Sequence, residues 1–157
     1  MNPIILTILL SMSPISELRG GIPYALTQGY NIQEAFVVCV LANVVAAVFI
    51  MFFLTFLHGS FLKIGFYRKT FDYFLERVRK RSQKVEKNMG AWGYLALCIF
   101  VAIPLPATGA WTGTLIAWLL GLDKIKSLAA IALGVVIAGV IVSLVALGAI
   151  NFFSFVL

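Results

Sequence analysis

The sequence predicts an all-α integral membrane protein with two inverted repeats. Each repeat is a re-entrant helical hairpin followed by a transmembrane helix, and a basic amphipathic cytoplasmic helix joins them. Three observations support this. The apolar runs 35–57 and 127–150 each exceed the roughly 20 residues that cross a bilayer. Two other apolar stretches are interrupted at their centres by Pro and Gly. The chain also resembles itself at a shift of 92 residues. Composition removes the soluble classes: 11% of residues are charged and 62% are hydrophobic, against about 25% charged in an ordinary soluble domain. The 157 residues read as a single membrane domain, with repeat one at 1–60, a connector at 61–90 and repeat two at 91–157.

Repeat one opens with "MNPIILTILLSMS", which lacks a basic n-region and has a very short apolar core, so no cleaved signal peptide is expected. Next, within "SMSPISELRGGIPYAL" at 11–26, Pro14, Gly20, Gly21 and Pro23 surround Glu17 and Arg19. Proline lacks a backbone donor and disfavours helix at the residue before it. The stretch therefore reads as a short helix, an irregular tip and a second short helix ending at Gly29. Asn31 followed by Glu34 forms a capping-box pattern, and the apolar residues after it span the membrane to about Leu57.

The connector contains "YRKTFDYFLERVRKRSQKVEKNMG". Phe71, Phe74, Leu75 and Val78 recur at three- and four-residue spacing on an otherwise basic background. This pattern predicts an amphipathic helix on the inner leaflet, ending at Gly90. Of twelve Lys and Arg residues, nine lie between Lys63 and Lys87, and two more are Lys124 and Lys126. By the positive-inside rule the connector and the 121–126 loop face the cytoplasm. The same clustering accounts for the net charge of +6 without nucleic acid as a partner.

Residues 91–120 have the length of a span, but Pro104, Pro106, Gly109 and Gly113 fall within ten residues at its centre. In hydrocarbon the freed backbone groups must be covered by protein or water. A second re-entrant hairpin fits, followed by a last span from about Ser127 to Phe153. At the 92-residue shift, Pro14 falls on Pro106, Gly21 on Gly113, Gly29 on Gly121 and Asn31 on Asp123, while "LANVVAAV" falls on "LGVVIAGV". Each repeat returns once and crosses once. Both termini then lie outside, in a multi-pass protein of the plasma membrane.

Ionisable residues inside a membrane are costly and usually serve a pathway or a partner. Glu17 and Arg19 are two residues apart, about 200° on a regular helix, whereas an extended tip turns both towards one cavity. Gly20 and Gly21 precede the outgoing short helix and would present free N–H groups and the positive end of its dipole to an anion. Glu17 is the candidate proton carrier; desolvation and Arg19 act on it in opposite directions. The second tip, "PLPATGAWTG", has no charge. Its Thr108 offers a hydroxyl, Gly109 allows close approach and Trp111 offers an apolar wall with one donor. Asn43 in the first span serves either an interhelical hydrogen bond or the substrate. Trp92 and Trp118 suit the membrane interface. Cys39 and Cys98 read as small buried hydrophobes and His58 stands alone, so neither a metal site nor a cofactor is expected.

"SPISELRGGIPYAL" and "PLPATGAWTG" resemble the two signature motifs of the small multidrug export protein family, and the likeness covers essentially the whole chain. That family is similar to the DedA, or VTT, superfamily in pairing two re-entrant hairpins with spanning helices. The resemblance implies a membrane transporter coupled to protons or ions, or a lipid flippase or scramblase. DedA-type proteins carry an arginine in the second hairpin; this sequence has none there.

Inverted repeats with broken helices are a recurring transporter plan. The leading expectation is a secondary transporter whose site lies between the tips and is lined by Glu17, Arg19, Gly20, Gly21, Pro14, Pro23, Pro104, Pro106, Thr108, Gly109, Trp111 and Asn43. A passive scramblase, a membrane scaffold and an intramembrane lipid phosphatase are the alternatives. No enzyme activity is expected. The expected partners are membrane lipid, a small-molecule, ion or lipid substrate, and a second copy in a homodimer.

Overall fold

The computed structural model describes residues 2–56, 91–105 and 108–156. The expected connector helix, His58 and Pro106 lie outside the described residues. Six helices and no strands are present among them: α1 (Pro3–Met12), α2 (Glu17–Thr27), α3 (Ile32–Phe56), α4 (Ala91–Ala102), α5 (Ala110–Leu119) and α6 (Lys124–Val156).

Among the described residues, only α3 and α6 are long and apolar enough to cross a bilayer, each with a window of mean hydropathy 2.9. The ten residues of α1 rise about 15 Å, half of the ~30 Å hydrocarbon core. Local signals fix three of the helix starts. Asn2 accepts from the Ile4 N–H at 3.2 Å with Pro3 in the first turn. Asn31 and Glu34 form the capping box, the Glu34 N–H donating to Asn31 Oδ1 at 2.8 Å and the Asn31 N–H to Glu34 Oε2 at 3.3 Å. Asp123 caps α6 by accepting from the Lys126 N–H at 2.9 Å.

The first tip is shorter than the sequence suggests. The break spans only Ser13–Ser16; α2 starts at Glu17 and runs through Gly20, Gly21 and Pro23. The charged pair thus occupies the first turn of a helix instead of an extended tip. Gly20 and Gly21 do not precede that helix, and the Gly20 N–H already donates to the Ser16 carbonyl at 3.1 Å. Close packing explains the glycine: a Cβ on Gly21 would collide with Ser11 Oγ and press on Cys39, so Gly21 lets α1, α2 and α3 meet.

Helices α3 and α6 run antiparallel. Lys124, at the start of α6, lies over the Phe56 ring at the end of α3, 5.8 Å from its centroid. Further along, Gly139 packs against Phe36 and Val40. The pair α1–α2 has its base at the start of α3, where Ile4, Thr7, Tyr30 and Glu34 line one cleft. The pair α4–α5 has its base at the start of α6, where the Asp123 N–H donates to the Tyr94 hydroxyl at 3.3 Å. The two bases therefore sit at opposite ends of the α3–α6 pair, and the two tips meet between them.

The interior contains Ile22, Cys39, Val101, Ala117, Ile131 and Val135. Outward faces of the long helices are apolar too, with Leu41, Val45, Phe49, Leu133, Val140 and Leu144 exposed. A helix that is apolar all round suits lipid on one side and protein on the other. Trp92 is exposed, while Trp118 packs against the core.

Candidate functional site

Glu17 is the centre of the site. It is 6% exposed and takes a left-handed backbone, φ 47°, a conformation that costs a non-glycine residue about 1–2 kcal/mol. This departure from helical geometry sets its side chain beside Arg19 although the two are separated by a single residue. The Arg19 guanidinium lies 3.7 Å from the Glu17 carboxylate.

The carboxylate then crosses to the other hairpin. Its Oε1 accepts from the Trp111 N–H at 3.4 Å, and the neighbouring Ala110 N–H also faces it, more weakly. These N–H groups belong to the first turn of α5, where unpaired donors and the positive end of the helix dipole favour an anion. Gly109 makes the approach possible. Its φ of 135° and ψ of −168° fall in a region reserved for glycine, and a Cβ there would collide with the Glu17 carboxylate.

Two further bonds close the tips. Arg19 Nη2 donates to the Thr108 carbonyl at 2.9 Å, and Trp111 Nε1 donates to the Met12 carbonyl at 2.9 Å. The Trp111 donor is therefore committed to the opposite hairpin. The Thr108 hydroxyl is committed locally: its one proton is shared between the Ile103 and Leu105 carbonyls, 2.6 and 2.7 Å away, and its oxygen accepts from the Leu105 N–H at 3.1 Å. It is the carbonyl of Thr108, not its hydroxyl, that meets Arg19.

Behind these contacts lies a cavity of ≈ 10 Å³, room for about one water. Glu17, Arg19, Thr108, Gly109 and Pro104 line it from the tips, and Asn43, Val135 and Ala138 line it from α3 and α6. Asn43 is 1% exposed, and neither its Nδ2 nor its Oδ1 has a partner. A buried amide without partners costs about 1–3 kcal/mol, so its position against the cavity matters.

The expected site residues divide accordingly. Glu17, Arg19, Thr108, Gly109, Trp111, Asn43 and Pro104 come together at or around the cavity. Gly20 and Gly21 serve packing inside α2, where a Cβ on Gly20 would strike Ser16; Pro23 lies inside α2 and Pro14 is exposed in the turn. The residues that the sequence did not single out are Ala110, for its N–H, and Val135 and Ala138. The 92-residue shift held a signal for one of them, since it places Asn43 on Val135; it also places Glu17 on Gly109 and Arg19 on Trp111.

The family model described as "Putative small multi-drug export protein" matches residues 17–141, from Glu17 at the start of α2 through the second tip and into α6. No curated protein and no solved structure matches the chain. A match across most of the chain, together with two apolar helices of spanning length, shows that this membrane protein belongs to the family of small multi-drug export proteins.

Proposed function

We propose that the chain is a secondary transporter, coupled to protons or ions, whose substrate site lies between the two hairpin tips. The observation that carries this reading is the Glu17–Arg19 pair. It joins two hairpins across 89 to 94 residues of sequence and lies against a small cavity lined by an unpartnered amide. Glu17 is the proton or cation carrier and Arg19 the anion contact. Their bonds to Thr108 and Trp111 hold the tips shut and break when the site opens.

A shared register between the two halves, as an inverted duplication would leave, supports the reading. Helices α2 and α5 end at Thr27 and Leu119, and α3 and α6 begin at Ile32 and Lys124, each pair 92 apart. The buried positions of α3 from Ala35 to Leu54 recur in α6 at the same shift, with Val40 the one exception. In this reading each hairpin is re-entrant, the connector 61–90 is cytoplasmic and both termini lie outside. Alternating access then follows from exchanging the roles of two like halves.

The test uses the purified chain in liposomes with an imposed pH gradient and an entrapped pH-sensitive dye. Wild-type protein should dissipate the gradient faster than empty liposomes, and Glu17→Gln should abolish the difference. Equal rates for the variant and the wild type would sink the coupling role of Glu17. Lipid exchange between leaflets, insensitive to pH and to Glu17→Gln, would point instead to a passive scramblase.

A further inference from the structure

Building on the transporter reading, we infer that the site takes one small monoanion, of the size of chloride or nitrate, and that the Glu17 carboxylate is its built-in competitor. The carboxylate occupies an anion seat made of three parts: the Ala110 and Trp111 N–H groups at the start of α5, the Arg19 guanidinium, and the space that Gly109 leaves open. An independent feature faces the same cavity. Asn43 is buried with both polar atoms unpartnered, and its amide supplies a further donor.

Charge balance makes the exchange with a proton specific. Among the described residues lining the cavity, Glu17 and Arg19 are the only titratable ones; α3, α5 and α6 contribute none. With Glu17 ionised, the pair is neutral. Protonation of Glu17 alone leaves the partly buried Arg19 without its counter-charge, which a poorly hydrated site disfavours. Arrival of an anion alone adds a second negative charge beside the carboxylate. A proton on Glu17 together with one anion in the vacated seat restores neutrality. The proton comes from water at the open face and returns to water at the other, with no bond made or broken beyond that transfer. Binding is therefore one proton with one anion, and the loaded site carries no net charge.

The size limit also comes from the structure. The cavity has room for about one water (≈ 10 Å³), and displacing the Glu17 side chain adds a carboxylate-sized space. Chloride and nitrate match that space in size, whereas gluconate is several times larger.

The experiment measures proton uptake by the purified full-length chain in weakly buffered detergent as sodium chloride or nitrate is added, with gluconate as the oversized control. The expected result is about one proton taken up per anion bound, and none with gluconate. Glu17→Gln keeps the shape of the side chain and should bind chloride without proton uptake, with an affinity that no longer depends on pH. Asn43→Leu should weaken chloride binding about tenfold, the scale of a hydrogen bond to a charged group. No binding of chloride or nitrate, binding without proton uptake, or unchanged uptake by Glu17→Gln would each overturn the inference. A flux arm separates it from the transporter reading. Chloride-driven acid movement in liposomes, unaffected by valinomycin with potassium on both sides, supports both. Binding linked to proton uptake but without flux supports the anion site and overturns transport. Proton flux indifferent to the anion overturns the anion site and leaves transport standing.

Discussion

Gly109→Ala tests the junction between the tips, because two separable penalties meet at that atom. Alanine is strained at φ 135° and ψ −168°, which costs about 1–3 kcal/mol. Its Cβ also takes the place of the Glu17 carboxylate, displacing a charged group from backbone hydrogen bonds worth roughly 1.5–3 kcal/mol. Together these come to about 2.5–6 kcal/mol. In a Glu17→Ala background the second penalty vanishes and only the strain remains. The coupling between the two substitutions should therefore be about 1.5–3 kcal/mol, within the range seen for residues in contact. At roughly 2–4 °C per kcal/mol for a chain of this size, the Gly109→Ala effect on Tm should shrink by about 3–12 °C when Glu17 is absent. Thermal unfolding of the four purified proteins in one detergent reads the cycle. Additive effects, within about 0.5 kcal/mol, would refute the contact between Glu17 and the start of α5.

Four further outcomes follow from the same geometry. Asn43→Leu replaces a buried amide without partners by a side chain of similar size, so Tm should stay level or rise, by as much as ~1–3 kcal/mol of stability, while transport falls; lost stability would place an undetected partner on Asn43. Trp111→Phe removes the donor to the Met12 carbonyl and should destabilise by about 1 kcal/mol, with faster hydrogen exchange at the tips than at the hairpin bases. Gly21→Val forces a branched side chain into Ser11 and Cys39, at a cost of about 1–3 kcal/mol. Gly29→Ala, at an open position with φ 86°, should show only the backbone strain.

Spanning helices and breaks were legible because the bilayer imposes a length and proline and glycine disrupt a helix wherever they stand. The Asn31–Glu34 capping box was equally legible, since its bonds lie within four residues. The true start of α2 was not. Gly20, Gly21 and Pro23 all argue locally against a helix, yet packing against Ser11 and Cys39 favours one there, and tertiary context overrides propensity. Glu17 and Arg19 could be chosen as lone charges in apolar sequence. That Glu17 would rest on the N–H groups of Ala110 and Trp111 depends on two tips meeting across more than 90 residues, and no local pattern encodes that. Thr108 shows the limit most clearly: a hydroxyl read as a substrate contact is occupied by the carbonyls of its own turn.

Opposed insertion of the two hairpins is the premise on which the site rests, and side-specific thiol labelling tests it most directly. Cys39 and Cys98 are replaced by alanine, and single cysteines are placed at Gln28 and Lys126, both exposed at the hairpin bases. A membrane-impermeant thiol reagent is then applied to each face of sealed, oriented vesicles. The predicted result is labelling of Gln28 from outside and of Lys126 from the cytoplasmic side. Labelling of both from one face would contradict it, and the site between the tips would fall with the topology.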